Sequence, residues 1–337
     1  MKFVSLLSLV MSLSVLTGCS SLPKTDAQPT NASMQTSLKT AYDYQLLDTS
    51  FNQVSFQQAL AELKSYDVVF IGEYHGNQAS HLLEMQMLAA LHQHNQQIDR
   101  PTQLSMEMFN RDQKTNLDNY IDGEIGERYL IKETPAWRNY AGSYRPLVEY
   151  AKANFIPVIA ANAAADLVRC IGRQGEAYYD KMDAEEKTYI AEQPFATVEG
   201  YEEKFFSFMS GSKHMPKKRQ RNGYLAQLTR DNTMAESIHL AMQQTENSQV
   251  VHLNGSFHSE EHLGTVGALK RMNPKLRIAV VTPVHLQNLD EVKAKKRKDE
   301  FYYLLNPQPQ EFVDSDYKRK VRKAMFDKAK EKAKSCK

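Results

Sequence analysis

From Asp67 onward, short apolar runs alternate with stretches whose apolar residues recur every three or four positions. Val68-Val69-Phe70-Ile71, stopped by Gly72, has the continuous apolar character of a strand buried on both faces. Leu82, Leu83, Met85, Leu88 and Leu91 follow at helical spacing, with Asn77 placed to cap the helix N-terminus. A second strand is predicted over about 103–108, helical segments over 112–155, and a third strand over 156–160 leading into a helix with Leu167 and Val168. Val250-Val251-His252-Leu253 predicts a fourth strand, 259–272 a helix, and 277–282 a fifth strand. Strands separated by helices imply an α/β fold, a parallel β-sheet flanked by helices on both faces.

The interval 173–223 breaks this rhythm. It contains no convincing strand, while Lys217 to Gln244 reads as one long helix weakened near Gly223. The expected organisation is therefore an α/β body in two parts, 46–172 and 224–290, with 173–223 as a smaller inserted helical subdomain. No repeat of solenoid length is visible.

The N-terminus adds an export signal. Lys2 precedes an apolar run from Phe3 to Leu16 that is too short to span a bilayer, and Leu16-Thr17-Gly18-Cys19 resembles a bacterial lipobox. On that resemblance 1–18 is a removable signal peptide and Cys19 the lipidated mature N-terminus. Ser20 in place of an aspartate favours the outer membrane by the lipoprotein-sorting pattern. Residues 19–45, rich in Ser, Thr, Gln, Asn and Pro, read as a lipid-anchored flexible tether. The whole chain carries 42 basic and 40 acidic residues, so its charge balance does not indicate nucleic-acid binding. Basic residues crowd the tail, 291–337, which reads as a solvated helix or, alternatively, as a surface for an anionic membrane or ligand. Besides Cys19 only Cys170 and Cys336 remain. An oxidising compartment permits one disulfide between them, but Cys170, beside Val168 and Ile171 in a helix, reads as a buried free thiol. No cysteine pair has zinc-site spacing, and no glycine-rich phosphate loop occurs.

Polar residues gather where the strands end. Gly72-Glu73-Tyr74-His75 closes the first strand, Glu107 the second, Asn162 follows the third, and Gly255-Ser256-Phe257-His258 the fourth. Ligands of open parallel sheets bind outside the carboxyl ends of the strands, so these groups are expected to share one crevice. Each Gly-x-x-His lets the backbone turn sharply off its strand and aim the histidine back across the sheet edge. Imidazole with carboxylate suits a metal or general acid–base site, although a single such histidine is more often structural. His92 and His94 are expected to be solvated, and His239 and His285 to have packing or surface roles.

At these residues the sequence resembles a known family. Asp67 to Glu84 is similar to the opening of the ChaN-like family of haem-binding, iron-regulated lipoproteins. Ser105 to Phe109 with Arg111-Asp112-Gln113, Tyr144 to Val148, Pro157 to Asn162, Gln227, Arg230-Asp231, Thr233 to Ala235 and Gly255 to His258 resemble its later blocks in order. The resemblance implies a parallel sheet with a small helical domain, haem as ligand, and a haem-linked homodimer. In that family two haems lie face to face, each iron held by one tyrosine, with a histidine and a lysine of the other subunit on the propionates.

Carried over to this chain, the resemblance makes Tyr201 the first choice for the haem iron, with Tyr178 and Tyr179 behind it. His214 with Lys213 or Lys217 would hold the propionates. Were Tyr201 and His214 on one helix, a rise of about 1.5 Å per residue would part them by roughly 20 Å, too far to grip one haem from a single chain. A membrane anchored by lipid and an outer-membrane haem receptor are the other implied partners. The paired Gly-x-x-His motifs also resemble the wider clan of Tiki, TraB and erythromycin esterase proteins. That likeness implies an alternative, a hydrolase with a divalent metal ion, in which Glu73 or Glu107 is the general base and His75 and His258 are ligands or acid–base partners.

Overall fold

The computed structural model describes residues 38–135, 137–212 and 215–336. The signal peptide, Cys19, most of the tether, Lys213 and His214 lie outside the described residues.

Seven strands form one sheet in the order β1-β7-β6-β2-β5-β3-β4. They are β1 (Tyr44–Leu47), β2 (Val68–Glu73), β3 (Thr102–Asn110), β4 (Val158–Asn162), β5 (Gln249–Gly255), β6 (Ile278–His285) and β7 (Glu300–Leu305). Only β1 runs antiparallel, against β7; every other pairing is parallel. Five strands match the expected ones, and the sheet extends past them at one side. β1 begins in the last residues of the expected tether and β7 lies in the expected basic tail. Val68 to Ile71 are fully buried, as an inner strand covered on both faces requires. Each such side chain contributes about 1.5–3 kcal/mol on leaving water.

The helices are α1 (Phe56–Leu63), α2 (Gln78–Gln97), α3 (Lys114–Ile121), α4 (Glu127–Glu133), α5 (Tyr140–Ser143), α6 (Arg145–Ala153), α7 (Ala165–Gln174), α8 (Glu176–Tyr179), α9 (Ala184–Thr188), α10 (Tyr201–Phe208), α11 (Lys217–Gln244), α12 (Gly264–Met272), α13 (Leu289–Ala294) and α14 (Ser315–Lys332). Asn77 caps α2 as expected, accepting from the N–H groups of Ala79 and Ser80. One hydrophobic cluster fills the face covered by α1, α2 and α6, and a second lies under α11 and α12. The long helix α11 serves both regions. Ala235 and Ile238 pack on the sheet, while Leu225 joins the cluster of α7 and α8. The expected insert is thus bolted to the body by one continuous helix.

Cys170 is disulfide-bonded to Cys336, which corrects the expectation of a free thiol. The helix places Cys170 inward as expected, but the end of the chain returns to it across 166 residues of sequence. α14, just before Cys336, buries no side chain. Among the described residues no helix is long and apolar enough to cross a membrane.

Candidate functional site

The carboxyl ends of β2, β3 and β5 are adjacent because those strands are sheet neighbours. β3 carries an irregularity between Met106 and Asn110 in its pairing with β4. Such a bulge re-aims side chains at a strand end, and here Glu107 reaches across to β5. Its Oε2 accepts the Gly255 N–H at 2.6 Å, and its Oε1 lies 3.6 Å from Nε2 of His258. A methyl group on Gly255 would lie 2.7 Å from Nε2 of His75 and 3.6 Å from Glu107 Oε2. The bare glycine therefore lets the imidazole of His75, just past the end of β2, and the carboxylate of β3 approach over the β5 backbone. His75, Glu107 and His258 are brought together as the sequence implied.

The two histidines have different surroundings. His75 keeps 44% of its side chain exposed and donates from Nδ1 to Glu73, while Trp137 packs edge-on against its ring. His258 is buried; its Nδ1 donates to Oδ1 of Asp231 at 2.7 Å, so Nε2 faces Glu107. Burial opposes charge on both rings, but the carboxylates beside them outweigh it and raise both imidazoles above the ordinary histidine range. Asn162 donates to the Glu107 backbone carbonyl at 3.0 Å and fixes the strand end rather than joining the cluster.

Glu73 also faces a deeper group. Tyr144 donates to its Oε1 at 2.7 Å, and Nδ1 of His81 lies 3.3 Å from its Oε2 and 3.0 Å from Oε2 of Glu84. Burial raises the Glu73 carboxyl, but hydrogen bonds from His75 and His81 prevail and hold it well below the carboxylate range. Burial together with the Glu73 charge pushes Glu84 well above that range, so the pair shares one negative charge. Among the described residues, Glu73, His81 and Glu84 are the group whose ligand atoms cluster for a metal, within 4.8 Å of one another. The Gly76 N–H donates to Nε2 of His81 at 3.2 Å, which places the ring proton on Nδ1, facing the carboxylates. As arranged, this cluster holds protons. Sequence reasoning missed it, although His81 and Glu84 at helical i, i+3 spacing were a visible signal.

Around the helical segment, Tyr201 is fully buried. Its hydroxyl donates to Oδ2 of Asp231 at 2.7 Å and accepts from Nε2 of Gln227 at 3.2 Å. Burial, then the Asp231 charge, pushes the phenol well above its ordinary value. Tyr178 is also buried, while Tyr179 is half-buried against Phe195. α10 ends at Phe208 and α11 begins at Lys217, while position 214 lies outside the described residues. Lys217 is exposed at the start of α11. His92, expected in solvent, is instead buried beside Tyr150, with neither ring nitrogen hydrogen-bonded. The apolar side of α2 is wider than its sequence periodicity suggested. His285 stacks on Tyr74, and His239 pairs with Gln243 on the surface.

Between α7 and α11 lies an open cleft of about 440 Å³. Ala165, Val168, Gly172, Gly223 and Ala226 give it small apolar walls, and Met209 and Met215 lie at its edge. Gln227 forms part of its lining, so Tyr201 stands one hydrogen bond behind the cleft wall.

A family profile described as haem-binding uptake, Tiki superfamily, ChaN matches residues 59–269. No curated protein matches the sequence. Among solved structures, ChaN of Campylobacter jejuni, with cofacially bound haem, superposes with a TM-score of 0.56 at 17% identity. That match covers 80% of this chain and all of the other. An erythromycin esterase mutant in its open conformation matches at a TM-score of 0.40 and 10% identity, over 72% of this chain and 77% of the other. A succinoglycan biosynthesis protein matches at 0.40 and 14%, over 76% and 74%. The profile spans well over half of the sequence and reaches from α1 through β5 into α12, so the chain belongs to the ChaN family of haem-binding uptake proteins.

Proposed function

We propose that the protein binds haem at its helical segment and carries it as a lipid-anchored component of haem uptake at the outer membrane. Family membership supports haem as the ligand. The observation that carries the reading within this chain is the cleft between α7 and α11, apolar on its walls, with Tyr201 directly behind Gln227. Haem is a flat apolar body bearing two carboxylates, and small residues on facing helices suit such a shape. In this reading Tyr201 supplies the iron ligand, and α10 swings outward so that the phenol leaves Asp231. α10 is short, and its Tyr201 and Phe205 pack into a small aromatic cluster separate from the main cores. Lys217, exposed at the start of α11 two residues before Arg219 of the cleft lining, would with Lys213 and His214 serve propionates from either subunit of a haem-linked dimer. Lipid on Cys19 would hold the protein at the membrane, near a receptor that delivers or accepts haem.

Titrating haemin into the detergent-solubilised full chain tests this reading. A high-spin ferric spectrum and a rising dimer fraction are expected. Absence of any haemin-dependent spectrum refutes it.

A second reading, hydrolysis at the strand ends, is favoured by the approach of His75 and Glu107 over bare Gly255. Glu107 would take a proton from water, with His75 as the exposed acid–base partner. Turnover of small activated esters, lost in His75→Ala, would establish it.

A further inference from the structure

The cleft also contains a charge that has no partner among the described residues. Arg230 lies on α11 at the inner end of the cleft, one position before Asp231. Among the described residues its guanidinium makes no hydrogen bond and no salt bridge. The charges that act on it most strongly are the carboxylates of Glu107 and Asp231, and both are already engaged. Glu107 binds Gly255 N–H, and Asp231 binds Tyr201, His258 and Thr265.

Arg169 on α7 lines the same cleft and acts on Arg230 as a like charge. Its Nη2 is held by Asp166 at 2.6 Å, one turn earlier on an exposed part of α7. Arg219, further out on α11, donates to the carbonyl of Gly172. Three guanidinium groups therefore face a cleft whose lining, among the described residues, includes no carboxylate. Arg230 is partly buried beside a like charge, a setting that an incoming anion relieves. The guanidinium fork matches a carboxylate in two parallel hydrogen bonds.

We propose that Arg230, assisted by Arg169, binds a carboxylate of the ligand at the inner end of the cleft. This rests on the haem reading for the identity of the ligand, a porphyrin propionate, but not for the chemistry, a carboxylate on an apolar body. It gives each subunit an anchor of its own for one propionate, distinct from Lys213, His214 and Lys217. Because α11 also presents Asp231 to Tyr201, one helix would fix the acid end of the ligand and orient the phenol.

The test compares haemin, haemin dimethyl ester and metal-free protoporphyrin IX on the detergent-solubilised full chain and on Arg230→Gln. The unaltered protein should bind haemin about tenfold or more tightly than the ester, the size of one charge-assisted pair. Arg230→Gln should weaken haemin about tenfold, the share of one propionate, and leave the ester, which has no free carboxylate, unchanged. Equal affinity of the unaltered protein for acid and ester overturns the proposal, and needs no variant to fold. Haemin affinity unchanged in Arg230→Gln overturns it too, while haem binding itself stands. If haemin gives no iron spectrum but protoporphyrin IX binds and depends on Arg230, the haem reading falls and the carboxylate site stands.

Discussion

Tyr201 and His258 bind opposite oxygens of one buried carboxylate, Asp231, each at 2.7 Å. Thr265 adds a third donor at 2.8 Å, so the helical segment and the strand-end cluster meet at one anion on α11. Removing the charge should unsettle both. Asp231→Asn leaves His258 without the carboxylate that holds its Nδ1 proton and gives Tyr201 a weaker acceptor. Breaking a buried pair in this way costs about 3–5 kcal/mol. Chemical denaturation should show a loss of that order, and a loss below about 1 kcal/mol would mean the carboxylate is dispensable.

The disulfide should matter less to stability than its span suggests. Closing 166 residues would be worth about 5 kcal/mol if the native chain were fixed at both ends. Here the native tail from Leu305 to Cys336 passes through α14, which buries nothing, so the native state also gives up freedom on closure. The difference of the two loop entropies is about 1.5 kcal/mol. Cys170→Ser should therefore lower the unfolding free energy by that order while exposing the tail to protease. A loss near 5 kcal/mol would show that α14 docks firmly.

Two histidines, His252 buried and His262 half-buried, should make the protein acid-sensitive. Burial, and after it the His258 charge, lowers His252 to about 3; burial lowers His262 to about 4. An unfolded histidine titrates near 6.5. Each contributes stability that is complete above about pH 6.5 and lost as pH falls toward the folded value, because only the unfolded chain takes up the proton. Urea midpoints should thus fall as pH drops from about 6.5 to 4. His252→Gln, which keeps an amide near the Ser105 hydroxyl, should flatten that slope; an equally steep slope would assign it to other groups.

Much of this was legible in sequence, and the omissions have physical causes. β2 declared itself because a strand covered on both faces must be apolar throughout, and α11 because no proline interrupts it between Lys217 and Gln244. β7 was hidden because its Glu300 is buried against Thr282 and the run before it is basic, so composition pointed to solvent. β1 has only four residues on an edge. The convergence of His75, Glu107 and His258 followed from strand ends alone. The roles of Asp231, His81 and Arg230 did not, since they depend on which turn of a helix faces the sheet. Tyr201 begins an acidic first turn that reads as surface, yet the ring points inward with Phe205, one turn on.

Gly255 offers a direct probe of the strand-end cluster. In Gly255→Ala the new methyl would fall 2.7 Å from His75 Nε2, and that half-exposed ring can yield by loosening its contacts with Glu73 and Trp137. The expected stability loss is about 1 kcal/mol, at the low end for overpacking. The ring of His75 should move away from Glu107, visible as an altered histidine resonance. Any ester hydrolysis should disappear with it. A variant that folds, shifts His75 and keeps full turnover would take His75 out of the chemistry.

Tyr201→Phe separates a ligand from a structural donor. The substitution keeps the ring that packs against Tyr224 and Phe257 and deletes only the hydroxyl. Losing a hydrogen bond to a charged acceptor costs about 1.5–3 kcal/mol, so stability should fall by that order whatever the haem chemistry. The spectrum decides the rest. Burial and the Asp231 charge disfavour the phenolate while the ring is inside, so an iron ligand here requires α10 to open and Fe(III) to displace the proton. If it does, haemin bound to Tyr201→Phe should lose its tyrosinate absorption and much of its affinity. Haemin should then protect α10 less from hydrogen exchange than it protects α11 in the unaltered protein. If Tyr201→Phe is destabilised but its haem spectrum is unchanged, Tyr201 is a structural donor to Asp231. The ligand must then be sought among other tyrosines, beginning with the half-exposed ring of Tyr179.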